Sequence, residues 1–117
     1  MRSSPRKLKI VISIAIVMAS LPLLFHGLGN YALWDDEALV ALSAKGVWRT
    51  GDTTAFIDRN IVAYRSGILL KNGHDRSTPP LPAYIVAPLI GMVSEAAGVV
   101  RFPFALFGCL TIILIVF

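Results

Sequence analysis

Three apolar runs, separated by polar segments, organise the sequence. The first covers residues 10–28 and follows a polar tail at residues 1–9. A helix needs about 20 residues at 1.5 Å each to cross roughly 30 Å of hydrocarbon, and the first run is long enough. The pattern therefore predicts a membrane-spanning helix at residues 10–28.

The second and third apolar runs follow a long polar segment. The second, residues 79–93, opens on Pro79 and Pro80, and proline suits a helix start because its missing N–H would have no partner there. Residues 94–101 form a polar connection to the third run at residues 102–117. That run reaches only about 24 Å, so we expect the chain to be a fragment that stops inside a helix.

The polar segment at residues 29–78 carries its own helical pattern. Apolar residues recur at helical spacing over residues 37–48, and the Gly51-Asp52 pair indicates a turn after them. A second stretch has the same spacing through Ile61, Tyr64, Ile68 and Leu69. We therefore expect two amphipathic helices lying at the membrane surface.

Composition agrees with a membrane protein and sets the fold class. Hydrophobic residues make up 56% of the chain and charged residues 15%, against roughly 45–50% and 25% in soluble domains. The mean hydropathy is +0.71. We predict an all-α, polytopic integral membrane protein with about three transmembrane helices in this chain.

The placement of charge predicts the orientation. Basic residues precede the first apolar run at Arg2, Arg6, Lys7 and Lys9. Because such flanks stay cytoplasmic, we expect a cytoplasmic N-terminus, residues 29–78 on the outer face and residues 94–101, including Arg101, in the cytoplasm. A cleaved signal peptide starts in the same way, but its apolar region usually has about 7–15 residues, which favours a retained anchor. After Ala38 basic and acidic residues are interspersed and form nothing that resembles a nucleic-acid-binding patch, so we expect no nucleic-acid partner.

Three consecutive carboxylates, Asp35, Asp36 and Glu37, are the first candidate site. One of them can act as a general base on an acceptor hydroxyl or amine. Asp35 and Asp36 can instead hold a divalent ion such as Mg²⁺ or Mn²⁺ through oxygen ligands. The structural alternative is helix capping, with Asp35 or Asp36 as the N-cap and Glu37 in the first turn. The residues alone leave these alternatives open.

A second candidate site is basic and lies ahead of the Pro79-Pro80 pair. His74 and Arg76, helped by Arg65, can bind a lipid-linked phosphate at the membrane surface, since guanidinium groups make paired hydrogen bonds to phosphate oxygens. The alternative is a solvated loop whose basic residues meet membrane lipid headgroups.

The order of several short motifs resembles a known family. These motifs are a basic tail and one span, then Trp34-Asp35-Asp36-Glu37-Ala38, Gly51-Asp52, Thr78-Pro79-Pro80-Leu81-Pro82-Ala83-Tyr84 and Arg101-Phe102-Pro103. Together they resemble the start of the dolichyl-phosphate-mannose protein mannosyltransferase-like family, whose fold is called GT-C. The family includes bacterial transferases that move aminoarabinose or other sugars from polyprenyl phosphate. The resemblance implies a bacterial plasma-membrane location.

The resemblance also implies an activity and a set of residues. We expect a glycosyltransferase that moves a sugar from a polyprenyl-phosphate lipid to an acceptor hydroxyl or amine on the outer face. The family's Asp-Glu pair falls on Asp36 and Glu37, which implies a catalytic role for both. Members commonly have His or Lys before the proline pair, whereas this chain has Thr78, so phosphate binding is assigned to His74 or Arg76. The alternative function is a small non-enzymatic membrane subunit or a transporter fragment.

Overall fold

The computed structural model describes residues 5–62, 64–65, 68–69 and 79–116. These residues contain four helices: α1 (Pro5–Phe25), α2 (Asp35–Thr50), α3 (Leu81–Met92) and α4 (Ala97–Val116). Short strands lie between α2 and α3: β1 (Ala55–Ile57), β2 (Asn60–Val62), β3 (Tyr64–Arg65) and β4 (Ile68–Leu69). The described chain is mostly helical, as the sequence predicts, but it is not all-α.

The chain forms two compact units. One comprises Met1–Leu28 and Arg101–Phe117, and we call it the apolar pair because α1 and most of α4 make it up. The other comprises Gly29–Val100, and we call it the α2–α3 unit.

Within the apolar pair, α1 and α4 run antiparallel. Near one end, the Arg101 guanidinium donates a hydrogen bond of 2.9 Å to the Leu28 carbonyl, and the rings of Phe25 and Phe102 lie 5.9 Å apart. Near the other end, the Ser13 hydroxyl lies 3.4 Å from the Val116 carbonyl oxygen. The Arg101 bond satisfies a carbonyl just past the end of α1, where no helical N–H is available.

The contact between Arg101 and Leu28 differs from what the predicted topology implies. The sequence predicts that the first span ends near residue 28 on the outer face and that Arg101 is cytoplasmic. Two residues joined by a 2.9 Å hydrogen bond cannot lie on opposite sides of a bilayer. The predicted span at residues 79–93 is therefore not confirmed.

Two helices in the described part of the chain are long and apolar enough to span a membrane. They are Arg6–Phe25 and Ala97–Val116, each with a hydropathy of 2.4. The first helix begins five residues before the predicted start at residue 10, and α4 begins within the predicted connection at residues 94–101. By contrast, α3 has 12 residues and measures about 18 Å, short of the roughly 30 Å hydrocarbon core.

The α2–α3 unit has a core of small and medium apolar side chains. Two residues of its core, Ala44 and Val86, are fully buried. The rest of the buried cluster consists of Ala83, Ala87, Ile90 and Val100. Small residues allow close approach, and a Cβ built on Gly91 of α3 would overlap the Trp48 indole of α2. The two helices are therefore in close contact where Gly91 meets Trp48.

The second amphipathic helix expected at residues 61–69 is absent from the described residues. Here β1 pairs with β2 and β3 with β4, both antiparallel, with Phe56 opposite Ile61 and Arg65 opposite Ile68. Asp58 has a φ of +54° in the two-residue turn between β1 and β2. Asp is one of the few residues that tolerate this left-handed conformation. The strands on either side of the turn contain β-branched and aromatic residues, which favour β structure. The helical spacing was misleading because it also fits residues that pair across short hairpins.

Candidate functional site

The three consecutive carboxylates form the first turn of α2. Trp34 is the N-cap residue, so Asp35, Asp36 and Glu37 occupy the first three helical positions. Acidic side chains are favourable there because the helix dipole places partial positive charge at this end. The prediction of Asp35 or Asp36 as the N-cap was wrong by one residue, while Glu37 lies in the first turn as expected.

The contacts of this turn separate Glu37 from its neighbours. The Trp34 backbone N–H donates a hydrogen bond of 3.1 Å to Glu37 Oε2, which is one half of a capping box. Glu37 is half-buried, whereas Asp35 and Asp36 are exposed. Among the described residues, neither aspartate has a hydrogen-bond or ion-pair partner. The aspartates can thus meet a ligand without breaking a contact, and Glu37 cannot.

Aromatic side chains flank the turn and face outward. Tyr31 is 76% exposed and Trp34 is 79% exposed. Trp and Tyr are enriched at the headgroup level of membranes, where one end of the ring system is apolar and the other is wet. Their exposure fits a carboxylate turn at a membrane surface.

An apolar groove of about 250 Å³ begins one residue after the turn. Its apolar walls are Leu33, Ala38, Ala41, Leu42 and Ile90. Lys45 and Glu95 add the only charges on its lining. The Lys45 ammonium lies 2.8 Å from Glu95 Oε1, and the side chains are 20% and 61% exposed respectively. The groove therefore combines an apolar floor with an ion pair that water reaches.

Helical periodicity shows which carboxylate shares a face with the groove. Asp35, Ala38, Leu42 and Lys45 recur at spacings of three and four residues, which places them along one side of α2. Asp36 lies 100° further round the helix. The residue left without a role by the sequence, Asp35, is thus the aspartate on the groove side.

Lys45 and Glu95 are the residues that sequence reasoning missed. They lie 50 residues apart in the chain, and no motif links them. The sequence also predicts opposite membrane faces for them, because it assigns residues 94–101 to the cytoplasm. A pattern read along one segment does not reveal a pairing between two segments that only the packing of α2 on α3 brings together.

The basic candidates are not brought to the carboxylate turn by any described contact. Arg65 lies in β3, paired with Ile68 of β4. His74 and Arg76 lie outside the described residues. In the part of the chain that the structure describes, no group of three or more His, Cys, Asp or Glu side chains is placed to hold a metal ion.

Comparisons with known proteins identify no relative. The chain matches no protein family, no curated protein and no solved structure.

Proposed function

We propose that the protein is a membrane glycosyltransferase that moves a sugar from a polyprenyl-phosphate lipid to an acceptor hydroxyl or amine. The observation that carries the proposal is the exposed carboxylate turn of Asp35 and Asp36 directly beside an apolar groove. A lipid-linked sugar presents an apolar chain next to a polar head, so its site needs both kinds of surface. The motif order that resembles the mannosyltransferase-like family supports the same reaction class.

The membrane setting belongs to the same proposal. Two helices long and apolar enough to span would anchor the protein in a bacterial plasma membrane, with the basic N-terminus cytoplasmic. The donor lipid keeps its tail in the bilayer and its head at the outer interface, where the carboxylate turn would meet it. The predicted total of three spans requires α3 to cross, and its length of about 18 Å argues against that.

In the proposed reaction, Asp36 acts as the general base. It takes the proton of the acceptor hydroxyl or amine while that atom forms a bond to the sugar's anomeric carbon. The bond between the anomeric carbon and the lipid phosphate oxygen breaks, and polyprenyl phosphate leaves. Glu37 holds the helix start through its bond to the Trp34 N–H and so positions the aspartate. His74, Arg76 and Arg65 offset charge on the leaving phosphate.

A divalent ion fits the donor set of this turn. Mg²⁺ is usually held by one or two carboxylates together with water and substrate phosphate, and Asp35 and Asp36 are two exposed carboxylates. Held there, Mg²⁺ or Mn²⁺ would supply positive charge beside the donor phosphate.

The test is sugar transfer by membranes that carry the protein expressed from its natural gene. Release of polyprenyl phosphate from polyprenyl-phosphate mannose and polyprenyl-phosphate aminoarabinose is measured for wild type and Asp36→Asn. General base catalysis typically contributes about 10²–10⁴-fold, so we expect a loss of that order with unchanged protein abundance. Asp36→Asn activity near the wild-type level would falsify the catalytic assignment.

Variants of the two neighbouring carboxylates are the matched controls. Asp35→Asn is exposed like Asp36→Asn but lies on the groove side, and it should change binding of the donor or the metal requirement more than the rate at saturation. Glu37→Gln weakens the bond from Trp34 N–H and should lower helix stability. Equal losses in all three variants would point to net charge rather than to a base at Asp36.

The alternative function is a non-enzymatic membrane subunit or transporter component. The capping bond from Trp34 N–H to Glu37 favours it, because that contact assigns one carboxylate a purely structural purpose. Under this alternative, wild-type membranes release no polyprenyl phosphate from either donor, and Asp36→Asn leaves the protein's abundance and assembly unchanged.

A further inference from the structure

We propose that the apolar groove of the α2–α3 unit binds the phosphate monoester of a single-chain lipid, and that the Lys45 ammonium holds this phosphate in place of the Glu95 carboxylate. The groove and the ion pair both lie within Gly29–Val100. A lipid of this class is also what the proposed reaction releases, so the assignment of the site to the spent carrier lipid rests on the proposed function. The binding itself does not.

The ion pair shows how an anion is held by Lys45. Both oxygens of the Glu95 carboxylate contact the ammonium, Oε1 at 2.8 Å and Oε2 at 2.9 Å. Two oxygens of a phosphate can make the same two contacts, and hydrogen bonds between charged groups are the strong ones. The carboxylate therefore occupies the position that the phosphate of a ligand would take.

The two partners differ in how easily each can leave the pair. The Glu95 side chain is 61% exposed, whereas that of Lys45 is 20% exposed. An exposed carboxylate gains little from an ion pair and can turn into water, but a shielded ammonium keeps its need for an anion. A phosphate monoester carries a charge of about −1.5 to −2 at pH 7, against −1 for the carboxylate. The phosphate is therefore the stronger partner for Lys45.

The lining and size of the groove select a lipid with one chain. Among the described residues that line it, Lys45 is the only cation, and five others are apolar: Leu33, Ala38, Ala41, Leu42 and Ile90. Its volume of about 250 Å³ is below the roughly 300–1,000 Å³ of sites that enclose a drug-sized ligand. The groove thus has room for the part of one hydrocarbon chain that is nearest to the phosphate, and not for two chains.

The carboxylate turn determines which end of the groove takes the phosphate. Asp35 lies ten residues before Lys45, about 15 Å along α2, so the anionic and cationic ends are well separated. In a sugar-linked lipid the phosphate is a diester with one negative charge, and loss of the sugar makes it a monoester with nearly two. Repulsion by the turn and attraction by Lys45 both grow with that charge. The spent lipid therefore binds with its phosphate at Lys45.

Direct binding tests the site. The protein expressed from its natural gene is placed in phosphatidylcholine nanodiscs, and equilibrium binding of radiolabelled farnesyl phosphate is measured. We expect saturable binding that is about 10–100-fold weaker in Lys45→Gln, because a hydrogen bond between charged groups is lost. Arg49→Gln is the matched control: it removes the same charge from an exposed residue of α2 that does not line the groove, and the affinity should stay within about twofold. Equal losses in both variants would overturn the proposal.

Glu95→Gln gives the outcome that a purely structural ion pair does not. It removes the competing anion and leaves Lys45 in place, so we expect farnesyl phosphate to bind about two- to fivefold more tightly. If the pair only held the unit together, Glu95→Gln and Lys45→Gln would weaken binding alike, and the proposal would fail. Should Lys45→Gln not fold, Glu95→Gln decides alone, with Lys45→Arg expected to retain binding.

Unlabelled competitors identify the ligand class. We expect farnesyl phosphate to displace the label, its methyl diester to do so weakly, and farnesol and inorganic phosphate at the same concentration not to do so. Displacement by inorganic phosphate would indicate an ion site without a lipid, and displacement by farnesol would indicate an apolar site without a phosphate; either contradicts the proposal. A protein that binds farnesyl phosphate through Lys45 but transfers no sugar keeps this site and loses the proposed function. Sugar transfer by a protein whose binding does not depend on Lys45 gives the reverse.

Discussion

The apolar pair and the α2–α3 unit are both rich in hydrophobic residues, yet they use them differently. In the apolar pair, large side chains such as Leu23, Leu114 and Ile115 are about four-fifths exposed. In the α2–α3 unit, small residues such as Ala44 and Ala87 are buried between two helices. The difference teaches that hydropathy alone does not identify a core. The long apolar helices leave large apolar side chains exposed, whereas the α2–α3 unit buries its own interior.

The largest expected effect comes from adding one methyl group to a helix glycine in each unit. In Gly46→Ala the new Cβ would overlap the Thr54 backbone carbonyl, which cannot move as a side chain does. In Gly108→Ala it would lie 3.4 Å from Leu24 Cδ2, an ordinary contact with a flexible group. We expect Gly46→Ala to lower the free energy of unfolding by about 2–3 kcal/mol, as overpacking does.

The matched variant isolates the clash from helix propensity. Alanine is favoured over glycine in a helix by about 1 kcal/mol at both positions, so Gly108→Ala should be neutral or stabilising by up to about 1 kcal/mol. Denaturant unfolding in detergent micelles measures the change in the free energy of unfolding for both variants. Similar values for the two variants would remove the contrast between a tight and a loose unit.

The second comparison removes side-chain volume instead of adding it. Val86→Ala empties part of the fully buried core of the α2–α3 unit and should cost about 2 kcal/mol from lost transfer energy and the remaining cavity. Leu114→Ala removes more atoms from a side chain that is 81% exposed and should cost less than about 0.5 kcal/mol in micelles. A larger loss for Leu114→Ala would mean that α4 packs against protein at that position.

The smallest expected effect concerns the Lys45–Glu95 pair. Because the Glu95 side chain is 61% exposed, a double-mutant cycle of Lys45→Gln and Glu95→Gln should give a coupling energy of about 0.5 kcal/mol or less. Raising the salt concentration should reduce it further. A coupling several times larger that persists in high salt would show that the groove is shielded from water, which would sharpen the contrast with the exposed apolar pair.

The sequence predicts the structural elements that are determined by residues within one short segment. The helix over residues 37–48, the turn at Gly51 and the proline start of the helix that begins at Leu81 all follow from local spacing, capping and proline chemistry, and the structure confirms each. Gly51 has a φ of +83° and its N–H bonds to the Val47 carbonyl, as expected for a glycine that ends a helix.

Features that require contact between two distant segments could not be predicted from local sequence patterns. Nothing in the sequence links Arg101 to Leu28 or Glu95 to Lys45, because the members of these pairs lie 73 and 50 residues apart in the chain. The strands β1 to β4 were missed because Ile61 and Ile68, which pair with Phe56 and Arg65 respectively, also fit a helical spacing. Of the site, the carboxylate turn was predicted and the groove beside it was not.

The hydrogen bond between Arg101 and Leu28 also has a consequence for biosynthesis. Its partners are separated by 73 residues, so at roughly 5–20 residues per second the ribosome needs roughly 4–15 s to supply Arg101 after Leu28 has emerged. During that interval the Leu28 carbonyl lacks the Arg101 partner that it has in the folded apolar pair. The contact between Leu28 and Arg101 is therefore a late event in biosynthesis, because it forms only after residues 29–100 have been made.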